Sequence, residues 1–543
     1  MARTPLLDTF AKLFREYRGA RDAGLPLAGL REQRAARVAT GGISRREVIA
    51  GGAAAAIALG FPRRLSASGD PAVAIVGGGI AGLTCALELA DRHIPSTVYE
   101  ASGRIGGRMF SNTSYFAGGQ VAEWGGELID TSHTTVRKLA KRFGLPLDDL
   151  LAAQRPGSED TYHFFGSYYS VAQAEIDFAP VFEAVVADEA SAPFPTTFDS
   201  FTPAGAALDA MSVYDWIETR VPGGHGSPLG RLLDTAYAIE YGADTREQAA
   251  LNLIYLLAFQ PNPPRLSVFG ESDERFHIRG GNQQLPEAIA DHLGIGEAVV
   301  TGHRLIKVKE TAARRYRLTF ERGRSTREMV ADYVVLALPF AVLRHVDLSE
   351  AGFDARKRRA IRQQGRGNNG KIQLQFTQRH WTQPGPWPGV SSGSSYADTG
   401  YQASWEATRA QQGRAGILVG YSADSVTDAF ASATAFATAA TPSVRADAIT
   451  TLGQLEAVFP GLTPKWNGKA ILSLPKKSSF FEASYSFYRV GQYTDFAGYE
   501  AMRQGGVLFC GEHTSIDFQG FMEGGAAEGK RAAKELRRLI PGD

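Results

Sequence analysis

Val73-Ala74-Ile75-Val76-Gly77-Gly78-Gly79-Ile80-Ala81-Gly82 is the stretch on which the reading of the fold turns. The four apolar residues predict a buried strand, the glycines a tight turn, Leu83 to Ala90 a helix, and Thr97 to Glu100 the next strand. Strand, turn, helix and strand in this register make a βαβ dinucleotide-binding unit. Gly77 permits the turn, Gly79 lets backbone N–H groups reach a pyrophosphate at the helix N-terminus, and Gly82 lets helix and strand pack closely. Glu100, ending the second strand, is placed to accept ribose hydroxyls.

The residues after Glu100 narrow the choice of nucleotide. Ala101-Ser102-Gly103-Arg104-Ile105-Gly106-Gly107-Arg108 resembles the sequence after the ribose-binding acid in the flavin amine oxidase family (the monoamine oxidase and L-amino acid oxidase type). The resemblance implies that the glycine pair ending at Gly107, with Arg108, wraps FAD, the Arg giving fixed positive charge to phosphate. Ser102 departs from the Arg common there.

The resemblance continues along the chain from about Pro71 to the C-terminus. Val121 to Asp130 reads as a strand, a Gly-Gly crossing and another strand. It resembles the segment that lays backbone along the flavin ring, which assigns Gly126 and Glu127 to the cofactor and asks for glycine because a side chain would collide with it. Phe276 to Pro286 is a Gly-Gly turn opening a helix, and Val299 begins a strand resembling the one whose backbone holds the adenine. A meander comes next: Leu305 to Lys309, Tyr316 to Phe320 and Met329 to Ala337. Near the C-terminus, Val507 to Thr514 reads as a strand and turn, and Gly520-Phe521-Met522-Glu523-Gly524-Gly525 opens a helix. By the resemblance, Gly511 and Glu512 lie beside the ribityl chain and phosphates. The helix start at Met522 sets its positive end against the flavin C2 carbonyl and N1.

Four residues are candidates for the chemistry. Lys371, in the strand Asn368 to Phe376, resembles the Lys that holds a water against flavin N5; an ammonium among Ile and Leu needs a polar partner or a solvated exit. Tyr493 of Gly491-Gln492-Tyr493 and Phe521 take the places of the two-aromatic cage before the flavin, which selects an unprotonated amine and excludes water. Trp405 falls where amino acid oxidases of the family place an aromatic against the substrate. Monoamine oxidases carry a flavin-bonded Cys where this chain has Gln492, so the expectation is noncovalent FAD.

Composition bounds the rest. Among 543 residues, 58 Lys and Arg against 57 Asp and Glu give no electrostatic case for nucleic acid. Two cysteines make no disulfide framework, and no Cys/His cluster has metal-ligand spacing. Ser44-Arg45-Arg46-Glu47-Val48-Ile49, the short apolar run Ala50 to Leu59 and the small residues at Ser66-Ala67-Ser68 resemble a twin-arginine export signal; the run is too short for a stable membrane span. The expectation is export to the periplasm or outside, or a cytoplasmic protein if the signal does not function. Leu6, Phe10, Leu13 and Tyr17 lie at helical spacing.

The expected fold is α/β. A Rossmann-like FAD-binding domain (71–147, 271–345, 476–543) is interleaved with an α+β substrate domain of sheet and helices (148–270, 346–475), after an N-terminal extension (1–70). Phe178 to Ala190, Val213 to Arg220 and Arg231 to Tyr241 read as helices over a ligand cavity, with Trp216 and Glu240-Tyr241-Gly242 candidates for its entrance. The resemblance implies oxidation beside a primary amine, hydride passing to flavin N5, imine hydrolysis, and reoxidation by O2 to hydrogen peroxide. L-amino acids are the expected substrates, and monoamines or diamines, whose distal cation Glu127 or Glu240 would receive, the alternative. A related desaturase would share the N-terminal motif but need neither Lys371 nor the aromatic pair, and a flavin-binding scaffold would bind FAD without turnover. Homodimer formation is compatible with the sequence.

Overall fold

The computed structural model describes residues 71–258 and 272–540. The paired-Arg segment and the N-terminal helical spacing lie outside them.

Val73–Val76 is the middle strand of a five-stranded, all-parallel sheet, ordered Val507–Phe509, Tyr333–Leu336, Val73–Val76, Thr97–Tyr99, Val299–Val300. All four of its residues are buried, as a parallel strand covered on both faces requires. Helix Ile80–Ala90 returns over the sheet, and the C-terminal helix Met522–Leu539 packs against it. Glycine sets both approaches: a Cβ on Gly82 would stand 2.1 Å from the Gly77 carbonyl oxygen, and one on Gly529 2.1 Å from that of Ala81. The two ends of the chain are thereby locked together around one apolar core containing Ile75, Leu83, Cys85, Leu508, Cys510 and Leu536.

A second, eight-stranded mixed sheet is ordered Phe436–Thr438, Trp466–Ser473, Asn369–Phe376, Gly416–Ala423, Ala403–Glu406, Val390–Ala397, Ser158–Phe164, Ser167–Tyr169. Its pairs are antiparallel except that of Val390–Ala397 with Ser158–Phe164. Helices Val171–Ser191, Val213–Arg220 and Pro228–Tyr241 stand in the region expected to be helical and share a core with Trp405 and Tyr421 of this sheet.

Two local readings change. Met329 to Ala337 is two strands: Ser325–Ala331 pairs antiparallel with Tyr316–Arg322, while Tyr333–Leu336 joins the parallel sheet. Asp332 makes the break, its carboxylate accepting from the Ala72 N–H at 2.7 Å and its own N–H donating to the Ala72 carbonyl at 2.8 Å. After the Gly-Gly crossing there is no strand, only a single bridge from Ile129 to Phe276. Gly125 is required there because a Cβ would meet the Arg108 carbonyl oxygen at 1.9 Å, so the collision is with this chain's own backbone. Among the described residues no helix is long and apolar enough to cross a membrane.

Candidate cofactor and substrate site

A cavity of about 400 Å³ opens where the glycine turn meets the C-terminal helix; Gly77, Gly79, Glu100, Gly107, Arg108, Gly511, Glu512, Phe521 and Met522 all line it. Helix Ile80–Ala90 begins at Gly79 and helix Met522–Leu539 at Phe521, neither with a side-chain cap. Two helix N-termini therefore present first-turn N–H groups and positive dipole to one cavity, an arrangement that binds anions. A Cβ on Gly79 would meet only the Gly107 Cα at 4.0 Å, so glycine keeps open the space over the helix start. These residues fit a dinucleotide with phosphates at one end and an electron-accepting ring at the other.

The Glu100 carboxylate accepts from the Gly78 N–H at 2.7 Å and from the Ser102 N–H and hydroxyl at 2.8 and 2.7 Å. The serine that departs from the family pattern thus helps orient the Glu100 carboxylate, which lines the cavity. Glu100→Ala is expected to weaken dinucleotide binding by about 1.5–3 kcal/mol, the range for a hydrogen bond to a charged group. Titration of apoprotein should then show Kd raised roughly ten- to hundred-fold; unchanged Kd would remove Glu100 from the ribose.

Arg108 lines the cavity, but its charge is engaged: one guanidinium nitrogen donates to the Glu512 carboxylate at 2.9 Å and to the Ser484 carbonyl. Glu512 also accepts from the Ser486 hydroxyl and the Gly520 N–H. Burial is the largest influence and opposes its ionisation; the Arg108 charge, His513 and the hydrogen bonds from Ser486 and Arg108 together outweigh it, holding its pKa below the ordinary value. The pair is a clasp between the glycine-rich segment and the C-terminal turn.

Val299 does not reach the cavity. Its side chain is buried, its N–H donates to the Gly294 carbonyl and its carbonyl accepts from the Gly296 N–H, so its backbone is spent on the fold. The wall there is His303, Arg304 and Leu305. His303 Nδ1 lies 2.8 Å from the Thr301 carbonyl, which places the proton on Nδ1 and makes Nε2 an acceptor, with no partner among the described residues.

His513, also in the wall, is 1 % exposed, and neither ring nitrogen has a hydrogen-bond partner among the described residues. Burial lowers its pKa to about 4. Since an unfolded His titrates near 6.5, the unfolded chain binds a proton the folded one refuses between those values. Stability from this group is full above about pH 6.5 and is lost as pH falls toward 4, by roughly 3 kcal/mol. His513→Phe is expected to flatten the fall in melting temperature between pH 7 and 5; an unaltered fall would place the proton uptake elsewhere.

Glu127, expected at the cofactor, lines neither this cavity nor the next. Its carboxylate is ion-paired with the Lys371 ammonium and accepts from Trp405 Nε1 at 3.0 Å. All three residues are buried. Burial is the largest influence and works against the Glu127 charge; Lys371, the Trp405 hydrogen bond and His277 together outweigh it, keeping the carboxyl below its usual pKa. The polar partner that a buried Lys371 requires is therefore Glu127, which is not free to meet a substrate cation. Lys371 Nζ also stands 3.4 Å from the Gly125 carbonyl, and the Gly126 N–H donates to the Arg108 carbonyl, so the crossing joins the triad to the glycine-rich segment. Trp405 is a core residue beside Tyr421, not a cavity wall.

Tyr493 lines a second cavity of about 60 Å³ with Tyr241, Tyr255 and Tyr488. Phe521 lines the first; Gln519, two residues earlier, lines the second, so the segment 516–521 walls both. Trp216, a candidate for an entrance, is wholly buried and donates to Asp188, while Tyr241 does face the second cavity. Tyr255, Tyr488, His303 and His513 were not singled out in the sequence. Tyr488, in the aromatic run containing Tyr493, and His513, inside the quoted C-terminal turn, had a visible signal; Tyr255 and His303 had none.

The chain matches the family model for flavin containing amine oxidoreductase over residues 80–537. It is 23 % identical over 504 residues to the putative L-amino-acid oxidase YobN of Bacillus subtilis (strain 168), covering 88 % of this chain and 96 % of that protein. Among solved structures it resembles cyclohexylamine oxidase from Brevibacterium oxydans IH-35A, with TM-score 0.72 and 21 % identity over 87 % of this chain and 99 % of that one. It likewise resembles wild-type putrescine oxidase bound to putrescine, with TM-score 0.69 and 18 % identity over 86 % and 99 %. With two uncapped helix starts on one cavity and a family match spanning most of its length, the chain belongs to the flavin containing amine oxidoreductases.

Proposed function

We propose that this protein binds FAD noncovalently and oxidises L-amino acids to 2-oxo acids, ammonia and hydrogen peroxide. The observation that carries the reading is the large cavity with two helix N-termini sharing one wall, 516–521, with a tyrosine-lined cavity. When bound, the flavin supplies a two-electron acceptor for the C–H bond beside the amine. The chain's own groups do the rest. Gly79 and its helix start hold phosphate, Glu100 fixes the ribose, and the Met522 helix start favours negative charge on the ring. Tyr493 and Phe521 form apolar walls that orient the amine and exclude water. L-amino acids are preferred as substrates because the full-length relative YobN is named a putative L-amino-acid oxidase. Export of the folded, FAD-loaded protein through the twin-arginine segment is part of the proposal.

A second reading, oxidation of simple amines, has its own observation: among the described residues lining the tyrosine cavity there is no Lys, Arg or His to meet a carboxylate. Anaerobic mixing with L-amino acids, D-amino acids, monoamines and diamines, read by flavin bleaching, separates the two. The cofactor claim has its own check. Cys85 and Cys510 are buried in the core and line neither cavity, and Gln492 is held by Gln363 and Arg489, so no thiol is available to the ring. Acid precipitation should release all yellow flavin as FAD, and colour retained on the pellet would overturn the noncovalent claim.

A further inference from the structure

The tyrosine cavity carries a single charged wall residue among those described, Asp517. The four tyrosines turn their hydroxyls to protein. That of Tyr493 donates to Asn252 Oδ1 at 2.9 Å, that of Tyr241 to the Asn252 carbonyl at 3.0 Å, that of Tyr255 meets the Thr196 hydroxyl at 2.7 Å, and that of Tyr488 bonds Glu500. What they offer a ligand is ring surface, whose negative π face attracts cations. Asp517 lines the cavity while remaining exposed, with no hydrogen bond or ion pair among the described residues. Its neighbour in charge is another carboxylate, Glu528, and that one is already answered by the Arg531 guanidinium at 2.7 Å. Surrounding protein raises the Asp517 pKa, and no cation lowers it again.

A carboxylate that shares a cavity wall with ring faces, and has no Lys, Arg or His beside it among the described residues of that wall, is a recognition surface for positive charge. We propose that Asp517 binds a cationic group at the far end of the amine substrate, so that preferred substrates carry two amines: basic L-amino acids or diamines, rather than apolar ones. This rests on the reading of the protein as an amine oxidase and specifies its substrate class. Glu127, an acid that the sequence offered for this task, is committed to Lys371; Asp517 has no such partner among the described residues.

The test compares isosteres that differ in the distal charge: L-lysine with L-norleucine, and cadaverine with pentylamine, in FAD-loaded wild type, Asp517→Asn and Asp517→Ala. In the wild type the charged member of the active pair should have kcat/KM at least about ten-fold higher, most of it in KM. Both variants should bring that ratio to within about three-fold of unity while the neutral member keeps its wild-type kcat/KM, since only a removed attraction acts on one member alone. Raising ionic strength should shrink the wild-type ratio and leave that of the variants unchanged. Equal or better use of the neutral member by the wild type, or a ratio that survives in Asp517→Asn, overturns the proposal while the amine oxidase reading stands. Flavin reduction only by compounds outside these four overturns the proposal alone; no flavin reduction by any L-amino acid, D-amino acid, monoamine or diamine overturns the amine oxidase reading, and this one with it.

Discussion

If Lys371 acts beside the flavin as the resemblance implies, Lys371→Met should lower kcat by roughly 10²- to 10⁴-fold, the range for loss of a group acting on protons at a reacting centre, while flavin occupancy is retained. The residue is 3 % exposed and contacts no residue of the phosphate grip; it stands on Glu127 and the Gly125 carbonyl. The substitution also has a stability effect that must be separated from the chemical one. Glu127 is left as a buried carboxylate with Trp405 Nε1 as donor, and breaking one side of a buried pair costs about 3–5 kcal/mol. Lys371→Met combined with Glu127→Gln removes both charges, so the melting temperature should recover substantially while kcat does not. Stopped-flow measurement of the reductive and oxidative half-reactions assigns the lost rate to one step. A folded Lys371→Met enzyme with both half-reactions intact would reduce the residue to a structural role.

The second large effect concerns the substrate carboxylate. For an L-amino acid, that group must leave water and meet a donor, because an unpaired buried charge costs several kcal/mol. If L-amino acids are the substrates, removing the carboxylate strands that donor, and the enzyme should discriminate by about 10² or more against the decarboxylated analogue, as a site built to pair a polar group does. The amine must meanwhile lose its proton, so the rate should climb with pH across the amine's apparent pKa in the complex. The comparison is kcat/KM for phenylalanine against phenethylamine and lysine against cadaverine, with peroxide as readout. Preference for the amine in both pairs would exclude the amino acid reading and promote the second one. Since the described wall of the tyrosine cavity holds no cation, a preference for the amino acid would also direct the search for its donor to groups outside that wall.

The glycine motif was legible because its constraints are local: Gly77, Gly79 and Gly82 act within one turn of one helix, and Glu100 answers the Gly78 N–H at a fixed spacing. The C-terminal helix start was legible for the same reason, and with it the parallel sheet and the cavity. Val299 was misplaced by resemblance alone, since which backbone groups remain open depends on Gly294 and Gly296 folding back on it.

Pairings across the chain were not legible. Glu127 meets Lys371 244 residues away and Arg108 meets Glu512 404 residues away. In each case a charge read as an offer to a ligand is neutralised by a partner that only tertiary packing brings near. Asp517 is the converse: an acid between Ile516 and Phe518, without pattern around it, that becomes significant because folding sets it in one cavity wall with four tyrosines and gives it no partner among the described residues. The sequence by itself determined the fold of the nucleotide unit and the chemistry of the family, since both rest on short-range backbone geometry. Tertiary structure decided which charges are already paired and which still face a ligand, because charge compensation acts through space and not along the chain.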